Sequence, residues 1–416
     1  MEKVIISQNK HWEKAYSGLY ERNIFSQLLA NLETKHIQIL QGIRRSGKSS
    51  LFKLLINHLR DKVNPQQILY INLDDPFFTK YSNDPKGFYE IIQTAQKLTQ
   101  QKIKYLFLDE VQAVLGWEKY VKSVYDSEEF EKIFITGSNS SLLNSKYASL
   151  LTGRYLSNKV YPLNFREILK INEIDTFLEL NKQLSKVLKI IDDMMKYGSF
   201  VEVYKSSEAF KREILTSYYD TILLKDALQN SGVRDVRAFK DLAYYALSNL
   251  TSLYSYSSLS KAVKITDRSA KDYVLALNEC YLFNEIKLFS YSLKEQINNK
   301  KKLYLSDNGF MDLAFSFSNN YGKLFENLVF TELQKQNYDI YFYNKEIECD
   351  FIAKKEDKLI AIQVCYELNE HNQAREFNGL LKLPFTVDEK YIITYNQNEN
   401  TINDDVKVVR FWEYFG

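Results

Sequence analysis

The chain has 416 residues and a 45% hydrophobic share, so it is long enough for more than one domain and for sizeable cores. Its 55 Lys and Arg residues nearly balance its 53 Asp and Glu residues, and the formal net charge of +2 excludes a chain-wide electrostatic attraction to nucleic acid. Widely spaced cysteines exclude a disulfide framework and the lack of a long apolar window excludes a membrane span, so we expect a cytoplasmic protein without a membrane partner.

The first predicted elements are a short helical lead-in over residues 1–30 and a buried strand over residues 36–41. A loop with the pattern G-x-x-x-x-G-K-S follows at residues 42–49, and apolar residues then repeat at the spacing of a helix. A strand, a glycine-containing loop and a helix are together the setting of a Walker A phosphate-binding loop. The sequence therefore predicts a nucleotide-binding site at this loop.

The residue types of the loop suit the binding of phosphate and Mg²⁺. Gly42 and Gly47 permit backbone angles that direct N–H groups inward, and the following helix adds its positive N-terminal end. Lys48 is predicted to reach the β- and γ-phosphates, and the Ser49 hydroxyl is predicted to bind Mg²⁺. The predicted nucleotide-binding residues are Gly42, Ile43, Arg44, Arg45, Ser46, Gly47, Lys48, Ser49, Ser50 and, later in the chain, Asn139.

A later apolar strand, over residues 105–109, ends in the paired carboxylates Asp109 and Glu110, which is the form of a Walker B segment. Asp109 is predicted to hold Mg²⁺ directly or through water. Glu110 is predicted to orient and deprotonate the attacking water, because a general base must lie beside the proton that it accepts. The alternative, a strand that ends in a solvated turn, is weak in a chain that already has a Walker A loop.

Two polar positions farther along are candidates for contact with the γ-phosphate. The strand over residues 132–136 is followed by Ser138 and Asn139, either of which suits a sensor of that phosphate; the alternative is a serine-rich turn that caps a helix at Leu142. Arg154 precedes the last core strand, in the position of a catalytic arginine finger that acts on a neighbouring subunit. The alternative for Arg154 is a surface salt bridge within its own chain.

Helical patterns continue to a break near residue 197, and residues 234–308 then predict a winged helix. Basic residues surround its second and third helices, which are expected over residues 258–263 and 269–280. Residues 300–302, all lysine, are expected to form a basic tip of the wing. The alternative to DNA binding is a winged helix that only packs against protein, with its lysines as a solvated face. The predicted DNA-binding residues are Lys261, Lys264, Arg268 and Lys271.

The last part of the chain is predicted to be α/β again. A helix carrying Glu326 and a strand carrying Asp350 outline a metal site of the restriction-nuclease type. Such a site also needs a lysine, but Cys365 stands at the expected position and Gln363 replaces the usual acid. We therefore expect a nuclease-like domain with little or no cleavage activity.

Several of these stretches also match a known family. They are Gly-Ile-Arg-Arg-Ser-Gly-Lys-Ser at 42–49, Asp-Glu-Val-Gln at 109–112, Thr-Gly-Ser-Asn-Ser-Ser-Leu-Leu at 136–143, Gly-Arg-Tyr at 153–155 and Pro-Leu-Asn-Phe-Arg-Glu at 162–167. In them the chain resembles the AAA+-type P-loop ATPases that carry a C-terminal domain called DUF4143. The resemblance implies an AAA+ core, a winged helix and a C-terminal nuclease-like fold, and it names no substrate.

Together these predictions describe an α/β protein with an AAA+-like parallel sheet, a winged-helix domain and a restriction-endonuclease-like domain. We expect an ATPase that uses ATP and Mg²⁺, that couples hydrolysis to a conformational change on DNA, and that forms a homo-oligomer if Arg154 acts in trans. One alternative is a slow nucleotide-gated switch that binds a protein partner, and another is an active Mg²⁺-dependent DNA nuclease. The predicted domains are a lead-in at 1–30, an ATPase core and lid at 31–196, a helical and winged-helix domain at 197–309 and a nuclease-like domain at 310–416.

Overall fold

The structure is a computed structural model that describes residues 1–140, 148–228, 233–313, 320–398 and 405–416. The chain forms two compact units, Met1–Tyr161 and Pro162–Gly416. The four domain ranges derived from the sequence remain predictions.

The first unit is built on a parallel sheet. Its strands are β1 (Ile37–Gln41), β2 (Ile68–Asn72), β3 (Tyr105–Asp109), β4 (Lys132–Gly137) and β5 (Tyr155–Lys159). They lie in the order β2-β3-β4-β1-β5, and every neighbouring pair is parallel. Strand β4 lies between β1, which precedes the Walker A loop, and β3, the predicted Walker B strand.

Helices cover both faces of this sheet, which is why its central strands are buried along their whole length. On one face Phe52 packs against Phe107 and Phe134, whose rings stack with centroids 4.0 Å apart. A separate apolar core lies on the other face. The helices of the first unit are α1 (Glu2–Gln8), α2 (Phe25–Ala30), α3 (Lys48–Arg60), α4 (Gly87–Thr99), α5 (Trp117–Asp126) and α6 (Ala148–Leu151).

The lead-in before β1 packs on the outer strand β2. The Asn9 side chain donates to the Tyr70 carbonyl at 2.9 Å and accepts from the Tyr70 N–H at 2.7 Å. His11 is buried beside the Ile68 carbonyl, 3.0 Å from its Nε2, and burial lowers the pKa of His11 to about 4. These contacts cover a sheet edge whose backbone groups would otherwise be open to pairing with another chain.

The second unit begins with helices. A capping box starts the first of them: Asn164 Oδ1 accepts from the Glu167 N–H at 2.7 Å, and the Asn164 N–H donates to the Glu167 carboxylate at 2.9 Å. The helices of this unit are α7 (Phe165–Ile171), α8 (Phe177–Lys182), α9 (Leu184–Tyr197), α10 (Val201–Lys205), α11 (Glu208–Thr221), α12 (Val236–Ser248), α13 (Tyr256–Val263), α14 (Asp267–Glu279), α15 (Leu293–Asn298), α16 (Tyr321–Lys335), α17 (Gln373–Leu381) and α18 (Phe411–Phe415).

Helices α12, α13 and α14 are followed by the antiparallel strands β6 (Phe283–Lys287) and β7 (Lys301–Leu305). This is the element order predicted for a winged helix, and the assignment itself remains a prediction. The predicted basic tip at residues 300–302 is wrong, because Lys301 and Lys302 lie within β7 and are only 7% and 3% exposed. Their ammonium groups stay buried because carbonyl and carboxylate oxygens accept from them.

The last part of the second unit is a mixed sheet. Its strands are β8 (Asp339–Asn344), β9 (Glu348–Lys355), β10 (Lys358–Cys365), β11 (Glu389–Thr394) and β12 (Lys407–Arg410). Strands β8, β9 and β10 are antiparallel neighbours, and β10, β11 and β12 are parallel neighbours. The predicted helix that carries Glu326 and the predicted strand that carries Asp350 are confirmed as α16 and β9, whereas the nuclease-like assignment remains a prediction.

Two expectations from composition can be compared with this fold. The cysteines, Cys280, Cys349 and Cys365, are all buried and unpaired. Within the described ranges, no helix combines the length and the apolar character that crossing a bilayer requires.

Candidate functional site

The loop between β1 and α3 has a shape that two glycines permit. Gly42 has a φ of +151° and Gly47 a φ of +102°, both in the region that disfavours side chains. A Cβ atom on Gly42 would lie 2.1 Å from the Val160 carbonyl oxygen, so a side chain there would push the loop away from the segment that follows β5. The backbone itself therefore requires glycine at these positions.

The loop presents groups that suit a phosphate-bearing ligand. The Ser46 Oγ atom is buried and has no hydrogen-bond partner among the described residues. Lys48 is buried at the first position of α3, and its Nζ donates to the carbonyls of Gly42 and Ile43 at 2.9 and 3.0 Å. An orphaned hydroxyl, a buried ammonium and a helix N-terminus in one loop are groups that a bound anion satisfies. The residues present therefore fit the phosphates of a nucleotide.

The outer residues of the loop differ in exposure. Arg44 lies 3.6 Å from the Asp74 carboxylate, and Ile43 is buried. Arg45 adopts a left-handed φ of +69° and is exposed, as is Ser50 in the first turn of α3. Contact of these two positions with a nucleotide remains a prediction.

Asp109 ends β3 and is only 1% exposed. The Tyr70 hydroxyl donates to its Oδ2 at 2.6 Å, and the hydroxyls of Thr136 and Ser49 also hydrogen-bond to the carboxylate. Burial first, and then the charge of Glu110, raises the pKa of Asp109 above its ordinary value. A cation at this carboxylate would stabilise its charged form. The structure thus brings together Ser49 and Asp109, the two residues predicted to bind Mg²⁺.

Glu110, the next residue, has a left-handed backbone conformation with a φ of +54°. Its N–H donates to Thr136 Oγ1 at 2.9 Å, which fixes the turn after β3. The Gln112 side-chain amide donates to Glu110 Oε2 at 2.5 Å and to Ser138 Oγ at 3.2 Å. The Gln112 Oε1 atom is buried and lacks a hydrogen-bond partner in the described part of the chain. The candidate general base is therefore held by an amide that also contacts the residue after β4.

Ser138 and Asn139 follow β4 and are 1% and 2% exposed. Because the carboxyl ends of parallel strands share one edge of the sheet, both residues lie at the same edge as the Walker A loop and Glu110. Their role as γ-phosphate sensors remains a prediction. The alternative, a cap for a helix at Leu142, lies outside the described residues.

Arg154 lies at the opposite edge of the sheet. Its carbonyl accepts from the Ile37 N–H at 2.8 Å, so it stands beside the start of β1. The length of β1, on the order of 13 Å, separates it from the loop. Its Nε donates to Asp126 Oδ1 at 2.8 Å, and this hydrogen bond is the main reason why the pKa of Asp126 is below its ordinary value. The alternative role considered for Arg154, a salt bridge within its own chain, is therefore present. The structure does not bring Arg154 to the phosphate-binding loop of its own chain.

Four residues that contact this site were not predicted from the sequence. Tyr70 and Thr136 are hydroxyl side chains on otherwise apolar strands beside β3, and that pattern was an available signal. Gln112 lies in the Asp-Glu-Val-Gln stretch, where no local pattern assigns it a role. Arg22, in the lead-in, donates to the Ser46 carbonyl at 3.1 Å, and nothing in its sequence context points to the loop.

Comparison with known proteins identifies the family. A model described as an AAA domain matches residues 34–169. Two domains of unknown function, DUF8612 and DUF4143, match residues 188–320 and 321–414. An uncharacterized protein of Haemophilus influenzae is 32% identical across 93% of this chain and 96% of its own length. The chain belongs to the AAA/DUF4143 family of P-loop ATPases. The resemblance predicted from the sequence is confirmed.

A second relative in the AAA/DUF4143 family, an uncharacterized protein of Methanocaldococcus jannaschii, is 32% identical across 99% of this chain and 94% of its own length. Among solved structures, the Aeropyrum pernix Orc1 protein in complex with DNA is 12% identical, with a TM-score of 0.33 over 74% of this chain and 95% of that one. AMPPCP-bound DnaA from Aquifex aeolicus is 14% identical, with a TM-score of 0.29 over 64% of this chain and 90% of that one. At these TM-scores, no functional conclusion follows from the two structures.

A second charged cluster joins Lys302, from the DUF8612 match, to acids of the DUF4143 match that were predicted for a nuclease site. Lys302 Nζ lies 3.6 Å from Glu326, 3.3 Å from Glu348 and 3.8 Å from Asp350, and the Lys302 side chain is only 4% exposed. Burial lowers the pKa of Lys302, but the surrounding carboxylates outweigh it and raise that pKa above its ordinary value. Burial, and next the charge of Asp350, raises the pKa of Glu326 to about 7.

The motif lysine is absent, as expected, but another lysine reaches these acids. Cys365 does stand on β10, but Lys302 of β7 brings an ammonium to the acids from a different part of the chain. Gln363 does not face an open site either, because its amide donates to Glu376 at 2.8 Å and accepts from the Asp350 N–H at 2.7 Å. Among the described residues, no three His, Cys, Asp or Glu side chains form a group that could hold a metal ion.

The basic residues predicted to bind DNA are all exposed and lie in the middle segment of the chain. Those on α14 are exposed, and those on or just after α13 are exposed as well. They are Lys261, Lys264, Arg268 and Lys271.

Proposed function

We propose that this protein binds ATP with Mg²⁺ at the loop of residues 42–49 and hydrolyses it. The observation that carries the proposal is the contact between Ser49 and Asp109 beside a loop with an orphaned, buried hydroxyl at Ser46. A metal-binding pair next to a phosphate-sized set of donors is the arrangement that phosphoryl transfer needs. ATP is favoured over GTP because the sequence has no N-K-x-D motif for reading guanine.

Each residue of the proposed site has its own role in hydrolysis. The loop N–H groups and the Lys48 ammonium, once it leaves the Gly42 and Ile43 carbonyls, bind phosphate oxygens. Ser49 and Asp109 would hold Mg²⁺, which supplies positive charge next to the phosphates. Glu110 accepts the proton of the attacking water.

In this proposal Arg154 can act only on a nucleotide that is bound to a neighbouring subunit. Its distance from the loop of its own chain, on the order of 13 Å along β1, rules out contact with a phosphate bound there. We propose that a homo-oligomer brings Arg154 to the neighbouring subunit's nucleotide after its exposed salt bridge with Asp126 opens. Such an exposed pair stabilises the chain little, because solvent screens the two charges, so opening it is a small cost.

Replacing Lys48 with alanine tests the nucleotide site. We expect the Kd for Mg·ATP, measured by titration calorimetry, to rise by about 10- to 100-fold, because a charge-assisted contact with the phosphates is lost. Lys62→Ala, an exposed lysine just beyond α3, is the matched control and should bind like the wild type. Equal ATP affinity in the Lys48→Ala variant would contradict the proposal.

A second proposal is that the middle segment binds DNA during the ATPase cycle. The specific observation in its favour is the exposed group of Lys261, Lys264, Arg268 and Lys271 around α14. Lysines that neutralise phosphates give salt-dependent affinity without base contacts. A slow nucleotide-gated switch for a protein partner is the competing proposal. Cleavage by the DUF4143 region is not proposed, because the motif lysine is replaced by Cys365 and the Lys302 ammonium already neutralises the acids that would otherwise bind a metal ion.

Charge reversal distinguishes these two proposals. In a triple variant, Lys261→Glu, Lys264→Glu and Lys271→Glu, we expect duplex DNA binding to lose most of its affinity and the slope of log K against log salt to fall by about 2 to 3. Reversal of Lys182, Lys186 and Lys189, exposed lysines of the same unit, is the control and should change neither quantity. If the wild type binds no DNA at low salt and a protein fraction stimulates turnover, the DNA proposal fails and the switch is favoured.

A further inference from the structure

Arg22 contacts the phosphate-binding loop from a segment upstream of the residues that the AAA model matches, which begin at residue 34. It is only 8% exposed. One guanidinium nitrogen, Nη1, donates to the Ser46 carbonyl at 3.1 Å. The other, Nη2, donates to the Tyr161 carbonyl at 2.9 Å. A single planar group therefore joins the loop to the segment that follows β5.

The bond to the Ser46 carbonyl determines where the next amide points. A peptide unit is planar and trans, so the carbonyl of Ser46 and the N–H of Gly47 point in opposite directions. Arg22 holds the carbonyl on one side of the loop, and the Gly47 N–H is thereby directed to the other. Gly47 immediately precedes Lys48, the buried lysine at the start of α3.

The bond to Tyr161 supports the other end of the loop. Tyr161 follows Val160, whose carbonyl oxygen lies 2.1 Å from the position that a Cβ on Gly42 would take. The same Arg22 nitrogen that bonds Ser46 lies 3.4 Å from the Cβ position of Gly47. Arg22 thus braces the loop close to both of its glycines, and its fork of donors is rigid enough to hold two acceptors at fixed places.

We infer that Arg22 is a positioning residue that orients the Gly47 amide, and with it the phosphate-binding loop, for a nucleotide's phosphates. The inference builds on the proposed nucleotide site and adds a residue that the AAA match does not include. Arg22 acts through the backbone and not on the reacting atoms. Its loss should therefore weaken the binding of ATP and ADP together, since both place phosphates in the loop.

The test compares Arg22→Ala, Arg22→Lys and the control Arg60→Ala. Arg60 is a suitable control because its guanidinium contacts the lead-in carbonyl of Glu13 at the far end of α3. By calorimetry we expect the Kd of both Mg·ATP and Mg·ADP to rise by about tenfold or more in Arg22→Ala, in keeping with the loss of charge-assisted hydrogen bonds. Arg22→Lys should recover only part of this loss, because one ammonium cannot hold both carbonyls in the fork geometry.

Chemical rescue separates positioning from stability. Millimolar guanidinium should restore nucleotide affinity to Arg22→Ala and should not restore it to Lys48→Ala. The inference is overturned if wild type and Arg22→Ala bind both nucleotides equally. It is also overturned if Arg22→Ala melts at a lower temperature and added guanidinium leaves its affinity unchanged, which is the behaviour of a purely structural arginine. Absence of nucleotide binding in the wild type would instead contradict the proposed function itself.

Discussion

Replacing Glu110 with glutamine is expected to leave ATP binding intact and to lower kcat by about 10²- to 10⁴-fold, the usual contribution of a general base. Glutamine keeps the size of the side chain and its contact with the Gln112 amide, but it cannot accept a proton from water. Single-turnover phosphate release and calorimetric ATP binding, measured on the same preparation, report the two quantities separately.

The control for this substitution is Glu33→Gln, which changes an exposed acid before β1. It should turn over ATP like the wild type. Unchanged turnover in Glu110→Gln would contradict the assignment of the base, and it would direct attention to another acceptor. A large loss of ATP affinity in Glu110→Gln would instead indicate that the residue binds Mg²⁺, because a general base affects the chemical step and not the Kd.

Replacing Lys302 with methionine is expected to destabilise the protein by about 3 to 5 kcal/mol above about pH 7, because it leaves buried carboxylates without a counter-ion. Glu326 and Asp350 face Lys302 and are each only 15% exposed. Without the ammonium their pKa values in the folded state rise further above the unfolded values, so the folded state binds more protons. Stability of the variant therefore falls as the pH rises, and the loss should shrink near about pH 5, where protonated carboxyl groups need no counter-ion.

Urea denaturation at the two pH values measures this effect. Lys300→Met, at an exposed lysine two positions earlier, is the control and should change stability by about 0.5 kcal/mol or less. A double variant, Lys302→Met with Glu326→Gln, should recover part of the stability, since it removes one of the unpaired charges. If Lys302→Met is as stable as Lys300→Met at both pH values, the ammonium is not the counter-ion of the cluster.

The elements around the candidate nucleotide site could be predicted from local sequence signals, because they are contiguous or follow strands of one parallel sheet. The pattern at residues 42–49 fixes a strand, a loop and a helix in sequence, and Asp109 and Glu110 end a strand that parallel topology brings to the same edge. Tyr70 and Thr136 carry hydroxyl groups on apolar strands, but their contacts with Asp109 follow only from the strand order.

The features that the sequence did not predict depend on contacts between distant segments. Lys302 appears in the sequence as one of a run of lysines, and such a run usually marks a solvated tip. It is buried because Glu326 and Asp350, from later elements, surround its ammonium. Arg22 is a similar case, since its two acceptors are 24 and 139 residues away along the chain. The partners of Lys302 and of Arg22 cannot be inferred from the spacing or the periodicity of residues in the sequence.

Hydrogen–deuterium exchange with Mg²⁺ and a non-hydrolysable ATP analogue tests the central proposal most directly, because it reports which amides the nucleotide protects. We predict that the analogue slows exchange in peptides covering residues 42–51 and 109–112 of the wild type, and that Lys48→Ala shows no such protection at the same concentration. Protection elsewhere in the chain with none at these two segments, or equal protection in Lys48→Ala, would contradict a nucleotide site between the Walker A loop and the Asp109–Glu110 pair.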